Sequence, residues 1–200
     1  LQIDYKLIEI VDVSDPENIR KVMEKNMGYI PGDQTALVKD RYACVYSHIS
    51  GSGIFWYDLE PEGAPLCING PVRDLSYKSG IGGYKDRLLV ISSGKYKLVT
   101  KKEKDIRGLD EFQIAPGVAG DPAVYNNILF ISDRREGKVY IVDISDAAKP
   151  RLIAKIKTAG NPGRAVVYKD ALLVPDGYEG LRIYDLKRLL TSGGGNLNVR

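Results

Sequence analysis

Apolar and polar residues alternate along this chain in short runs, and the residues that close those runs recur. Four runs end in nearly the same way: Gly53-Ile-Phe-Trp-Tyr-Asp58, Gly94-Lys-Tyr-Lys-Leu-Val-Thr100, Gly137-Lys-Val-Tyr-Ile-Val-Asp143 and Gly180-Leu-Arg-Ile-Tyr-Asp185. Their glycines stand 41, 43 and 43 residues apart. A fifth copy, Leu7-Ile-Glu-Ile-Val-Asp12, lies one period earlier without its glycine. Short alternating runs of this kind read as strands, and no segment sustains the 3.6-residue period of a helix.

Two further markers keep the same phase. Lys39-Asp40, Lys85-Asp86, Asn126-Asn127 and Lys169-Asp170 each separate two apolar runs, as between Ala165-Val-Val-Tyr168 and Ala171-Leu-Leu-Val174. Two polar residues containing Asp or Asn between β-branched or aromatic runs predict a tight hairpin. After the third strand come Asp12-Val-Ser-Asp-Pro16, Asp58-Leu-Glu-Pro61 and Asp143-Ile-Ser-Asp146. A short carboxylate there can accept the backbone N–H two residues on and set a turn. A fourth strand follows, as in Arg151-Leu-Ile-Ala-Lys-Ile-Lys157.

One four-stranded sheet cannot bury both its faces, whereas such sheets stacked around an axis bury one another and leave only short edges. The chain therefore predicts an all-β fold, a β-propeller of four-stranded antiparallel blades, forming a single domain over residues 1–200. Blades are expected at 28–70, 71–114, 115–158 and 159–190, after the end of a preceding blade at 1–27 and before a tail at 191–200. Either the N-terminal third-plus-fourth strand pair completes the last blade and closes a small ring, or further blades precede it. Leu1 already lies inside a blade, which favours the second arrangement and a processed or truncated N-terminus.

The pattern resembles the LVIVD-repeat family of β-propellers. The resemblance rests on Val139-Tyr-Ile-Val-Asp-Ile-Ser-Asp146, Ile10-Val-Asp-Val-Ser-Asp-Pro16 and Asp176-Gly-Tyr-Glu-Gly-Leu-Arg-Ile-Tyr-Asp185. Val72-Arg-Asp-Leu-Ser76 and Gly163-Arg-Ala-Val-Val167 resemble that family's approach to the first strand. What the resemblance implies is the fold and a tendency toward extracytoplasmic, surface-associated proteins, with no shared activity. The second blade departs most: Thr100 replaces the aspartate, Lys101 to Arg107 lengthens the loop, and Ser79-Gly-Ile-Gly-Gly83 reads as an insertion forming a bulge or a close strand contact.

Composition narrows the function. With 44% hydrophobic residues the chain can bury a core, and its net charge of +3 is mild. Acidic residues interleave with the basic ones, which argues against a nucleic-acid face. No apolar run approaches the ~18 residues of a membrane-spanning helix. No Asn-x-Ser/Thr sequon occurs, which weighs against a glycosylated eukaryotic secreted protein. The two cysteines, Cys44 and Cys67, fall on the second and fourth strands of one blade. About two strand spacings, roughly 9–10 Å, would part them, beyond disulfide reach.

His48 is the only histidine, so multi-histidine metal centres are excluded, and no Gly-x-Ser-x-Gly elbow presents a nucleophile. Gly80-Ile-Gly-Gly83 lacks the following helix that a phosphate loop needs. The recurring aspartates Asp12, Asp58, Asp143 and Asp185 read as structural, because a catalytic group is needed once and not in every blade. Asp133, Glu136, Asp176 and Glu179 form two aligned carboxylate pairs that could suit Ca²⁺, yet no Asp-x-Asp-x-Asp loop accompanies them. No metal and no cofactor is therefore assigned.

The variable loops at the channel mouth remain. Arg73, Arg164, Arg134 and Arg135 could converge there to grip a carboxylate or phosphate through paired donors. Tyr178 and Tyr96 could add flat contact surfaces, and His48 lies in an equivalent loop. The plainer alternative is ordinary solvated charge paired with Glu136, Glu179 or Asp121. The function expected is a non-catalytic, extracytoplasmic or cell-surface module that binds a protein or an acidic glycan and could assemble with other chains or blades. The alternative is a lyase-like carbohydrate-active enzyme on acidic polysaccharide, with arginine neutralising charge and Tyr or His48 moving the proton.

Overall fold

The computed structural model describes residues 2–4, 7–26, 34–39, 41–47, 53–58, 66–68, 80–92, 95–102, 112–113 and 121–191. These residues form five antiparallel sheets, each built from strands consecutive in sequence. Sheet I comprises β1 (Gln2–Asp4), β2 (Leu7–Asp12) and β3 (Arg20–Asn26). Sheet II holds β4 (Gln34–Val38), β5 (Tyr42–Ser47), β6 (Gly53–Asp58) and β7 (Leu66–Ile68). In sheet III are β8 (Gly80–Tyr84), β9 (Arg87–Ser92), β10 (Lys95–Val99) and β11 (Phe112–Gln113). Sheet IV contains β12 (Asp121–Tyr125), β13 (Ile128–Asp133), β14 (Lys138–Asp143) and β15 (Arg151–Lys157). Sheet V has β16 (Val166–Tyr168), β17 (Ala171–Pro175) and β18 (Leu181–Asp185), after which the chain turns into α1 (Leu186–Thr191).

Sheet I is a sheet of its own. It gains β1 beside the two strands expected from sequence, and it does not supply the fourth strand of sheet V. Asp185 accepts the Arg188 amide at 2.8 Å, which starts the helix where the earlier repeats turn into a fourth strand.

Sheets II to V pack face to face. Val38, Cys44, Ile54 and Trp56 of sheet II meet Ile81, Leu88 and Val90 of sheet III. Leu89, Ile91 and Tyr96 on the other face of sheet III meet Leu129, Ile131, Tyr140 and Val142 of sheet IV. Phe130, Val139 and Ile141 then meet Leu172, Val174 and Tyr184 of sheet V, with Leu186 and Leu189 of α1 joining them. A sheet covered on both faces has no solvent side, so β13 and β14 are nearly continuous apolar runs. Each large side chain so buried contributes about 1.5–3 kcal/mol.

The innermost strands adjoin in the order β4, β8, β12. Gln34 Oε1 accepts the Ile81 amide across the first of these junctions at 3.0 Å. Glycine is required there: a Cβ on Gly83 would lie 2.0 Å from the Leu37 carbonyl oxygen. Gly80 to Gly83 is thus not an insertion but the first strand of its sheet, and the close strand contact expected of it is real.

Each described hairpin between first and second strands turns on one residue at φ of 53–54°, namely Lys39, Lys85, Asn126 and Lys169. The aspartate turns follow the sequence reading. Asp12 Oδ1 accepts the Ser14 amide at 3.0 Å and Asp143 Oδ1 the Ser145 amide at 2.9 Å. Asp12 also pairs with Arg20, and Asp143 with Arg151, across the next strand. Asp58 pairs with Arg41 at 2.7 Å, and the turn expected after it lies outside the described residues. Cys44 and Cys67 lie on β5 and β7 with β6 between them, in register with Trp56 and Phe55. Cys44 is a free, buried thiol whose ionisation burial suppresses.

Candidate functional site at the ring mouth

The loop from β13 to β14 is folded around Asp133. Its buried Oδ1 accepts the amides of Arg135 and Glu136 at 3.0 and 3.2 Å, and Gly137 closes the turn at φ +58°. That inward carboxylate turns Arg134, Arg135 and Glu136 out to solvent. Lys138 pairs with Glu136 at 3.2 Å, and Arg134 approaches Asp121 at 3.9 Å. Arg135 makes no ion pair among the described residues.

Sheet V repeats the design at the equivalent position. Asp176 is fully buried, and its Oδ2 accepts the amides of Ala159 and Gly160 at 3.2 and 3.1 Å and the Arg182 Nε at 3.0 Å. One carboxylate thereby joins the segment leaving sheet IV to the second and third strands of sheet V. Glu179 pairs with Arg182 at 3.5 Å. Asp133 and Asp176 are therefore backbone ties, and Glu136 and Glu179 are held by separate cations. No group of three or more potential ligands gathers for a metal among the described residues. Tyr178, at the tip of this loop, is fully exposed.

Arg164 lies on the segment leading into β16, beside this loop, since the neighbouring Gly163 amide donates to the Pro175 carbonyl at 2.7 Å. Its Nη1 donates to Thr35 O at 3.3 Å and its Nη2 to Ile81 O at 2.9 Å. A side chain of sheet V thus reaches the innermost strands of sheets II and III. The guanidinium therefore stands where the innermost strands of sheets II and III meet the segment leading into sheet V. Arg164 is half-buried and has no carboxylate partner among the described residues.

Of the residues singled out by sequence, the structure brings Arg134 and Arg135 to an exposed loop, Tyr178 to the equivalent loop of the next sheet, and Arg164 beside that loop against the innermost strands of sheets II and III. Arg73 and His48 lie outside the described residues. Tyr96 does not belong to the mouth. It faces sheet IV, is buried, and donates its hydroxyl to the Ala147 carbonyl. Desolvation pushes its ionisation up to about 12. Alternation along β10 assigns it there, because it pairs with the core residue Ile91. The register also makes Gly80, and not Arg73, the counterpart of Arg164. Sequence reasoning missed Gln34 and the inward role of Asp133 and Asp176; the missed signal for the latter was recurrence at the end of the second strand.

Consecutive antiparallel sheets packed face to face, with their innermost strands side by side, define a β-propeller-type repeat protein. Residues 116–158, which carry sheet IV, match the family model described as the LVIVD repeat, so the resemblance read from sequence holds there. No curated protein matches the chain. Among solved structures, a chain of a mitotic checkpoint complex is similar with a TM-score of 0.60 at 11% identity, covering 95% of this chain and 56% of that one. A functionally unknown protein from Desulfotomaculum acetoxidans gives 0.55 at 12% identity, covering 85% and 56%. The WD40 domain of Toxoplasma gondii coronin gives 0.52 at 15% identity, covering 76% and 42%. At such identities the likeness is one of fold. This chain spans little more than half the length of the first two. Among the described residues, no helix is long and apolar enough to cross a membrane.

Proposed function

We propose that this chain is a non-catalytic binding module that receives an acidic partner, either a protein loop or an anionic glycan, at the mouth of the ring. The observation that carries the reading is Arg164, a guanidinium between the innermost strands that among the described residues is bonded only to two backbone carbonyls. Guanidinium has five N–H donors in a planar fork. Three of them remain for a carboxylate or phosphate arriving from the mouth. Arg134 and Arg135 on the exposed loop supply further positive charge, and Tyr178 supplies an exposed ring for stacking against a sugar or side chain. The setting proposed for this binding is surface-associated and extracytoplasmic, as the family resemblance read from the sequence implies.

The test is titration with polygalacturonate and with a poly-glutamate peptide, followed by calorimetry at two salt concentrations. Arg134→Ala with Arg135→Ala, at exposed positions, should leave folding intact and weaken binding about tenfold or more, as expected when charged hydrogen bonds are lost. Arg164→Gln should weaken it further. Binding unchanged in both variants would refute the assignment. Release of unsaturated sugars during the same incubation would refute its non-catalytic half.

A further inference from the structure

We infer that the hairpin end of sheets II and III, at the far end of the strands from the mouth, is a cationic surface that docks on an anionic lipid bilayer. Contacts between the sheets bring its cations together. A Cβ on Gly83 would lie 2.0 Å from the Leu37 carbonyl oxygen, so Lys85 and Lys39, each two residues further on, leave their strands side by side. The Lys101 ammonium, in the turn after β10, stands 4.3 Å from the centre of the Tyr42 ring and donates to its hydroxyl. Arg41 lies over the same ring at 5.2 Å and holds Asp58. Six cations, Lys39, Arg41, Lys85, Arg87, Lys101 and Lys102, thus meet two carboxylates, Asp58 and Asp86, among the described residues of this end. Apart from Arg41, none of the six has a carboxylate partner among those residues, and these five are exposed.

Other copies of the repeat show that folding does not require this charge. Each described hairpin turns on a residue at φ of 53–54°, a conformation that asparagine tolerates better than lysine. Sheet IV places Asn126 there, whereas sheets II and III place Lys39 and Lys85. At the end of the third strand the register sets Asp58 opposite Tyr42, Asp143 opposite Ile128 and Asp185 opposite Ala171. In sheet III Val99 stands opposite Leu88, so the next positions along the two strands are Thr100 and Arg87. The repeat's aspartate is therefore absent where it would face an arginine. Sheet IV, at its corresponding end, sets Asp143 and Asp146 against Lys149 and Arg151. The excess of positive charge belongs to sheets II and III.

The kind of cation selects the occupant. Four of the five without a carboxylate are lysines, compact point charges that lack the paired donors with which arginine grips one carboxylate or phosphate. They stand on turn tips at the ends of two adjoining sheets, an arrangement that meets an extended field of charge. Arginine forks, which suit recognition of individual phosphates, are represented among the five by Arg87 alone. Sheet V adds a pair of the same kind at its own hairpin. Lys169 lies 5.3 Å from the centre of the Tyr168 ring, and Tyr168 is 60% exposed. Tyrosine and lysine side by side suit the headgroup level of a bilayer, where an apolar ring and a charged tip are both accommodated. The inference is independent of Arg164 and of the mouth.

The test is co-sedimentation with vesicles of phosphatidylcholine alone and of phosphatidylcholine mixed with phosphatidylserine. The protein should bind the mixed vesicles only, and raised salt should release it. One basic residue near such a surface changes partitioning about fivefold, so Lys39→Asn, Lys85→Asn and Lys102→Gln together should weaken binding about a hundredfold. Asparagine suits both turns, so the melting midpoint of this variant should not fall. Lys155→Gln with Lys157→Gln, on the outer strand of sheet IV, should weaken binding far less, which separates the patch from net charge. Absence of binding to the mixed vesicles, or equal weakening by the two variants, would overturn the inference. Retention on duplex DNA or on polyglutamate without vesicle binding would make another polyanion the occupant, and would overturn it too.

Discussion

Asp176 is the residue on which the mouth of sheet V depends, and its removal has a calculable cost. Its Oδ2 accepts three donors: the amides of Ala159 and Gly160 and the Arg182 guanidinium. Asp176→Ala would leave two backbone N–H groups without their acceptor and Arg182 with the more distant Glu179, in a place where the carboxylate is wholly shielded from water. Breaking a buried charged pair from one side costs about 3–5 kcal/mol, because the desolvated partner remains. Summing three separate hydrogen bonds would exceed this, and the larger figure is not expected because Arg182 is partly exposed and regains water. Asp176→Asn keeps one acceptor oxygen but places an amide NH₂ where Oδ1 now stands without a partner. Its cost should be smaller, about 1–2 kcal/mol. Urea unfolding at neutral pH, followed by tyrosine fluorescence, gives both values from midpoints at constant slope. For a chain of this size the alanine variant should melt roughly 6–20 °C lower. Hydrogen exchange at Ala159 and Gly160 should accelerate in the same variant. A loss below about 1 kcal/mol for Asp176→Ala, or equal losses for Ala and Asn, would refute the account of this carboxylate as a charged backbone tie.

Two further predictions concern the frame. Hydrogen bonds from Ser14, from Asn18 and from Ser145 hold Asp12, Asp15 and Asp143, respectively, below the ordinary carboxylate range. Groups depressed in the folded state stabilise it above their unfolded value, about 3.9, and that contribution is lost as pH falls through the folded values. Midpoints should therefore stay flat in this respect from about pH 5 upward and fall below about pH 4, and replacing all three by Asn should flatten the acid limb. The second contrasts neighbours on β8. A Cβ at Gly83 would sit 2.0 Å from the Leu37 carbonyl oxygen, whereas one at Gly82 would be 3.5 Å from its nearest neighbour, Pro122. Gly83→Ala should cost several kcal/mol, on the order of a badly overpacked core substitution, and Gly82→Ala within about 1 kcal/mol of neutral. Equal stability of the two variants in urea would contradict the close approach of β4 and β8.

Local chemistry carried much of the design into the sequence. The aspartates after β2 and β14 accept the amide two residues on wherever they stand, so Asp12-Val-Ser and Asp143-Ile-Ser announced their turns. The hairpins at Lys85-Asp86, Asn126-Asn127 and Lys169-Asp170 fell between the expected strands for the same reason. In both cases the interacting groups are separated by a few bonds, and residue order alone brings them together.

What the linear pattern decided for this protein is the repeat, the strands within it and the turns between them, since alternation and short-range hydrogen bonds act along the chain. What only the assembled sheets decided is which side of each strand is covered and what the mouth contains. Tyr96 is as polar-tipped as Tyr178, yet one is core and the other is free, because a neighbouring sheet covers one side of β10. Gly80 to Gly83 resembled an interruption until the carbonyl of Leu37 in another sheet showed why Gly83 carries no side chain. Arg164 acquired its meaning from acceptors 83 and 129 residues away. Contacts of that span depend on how sheets are stacked, and stacking is a property of faces, which no single strand's sequence specifies.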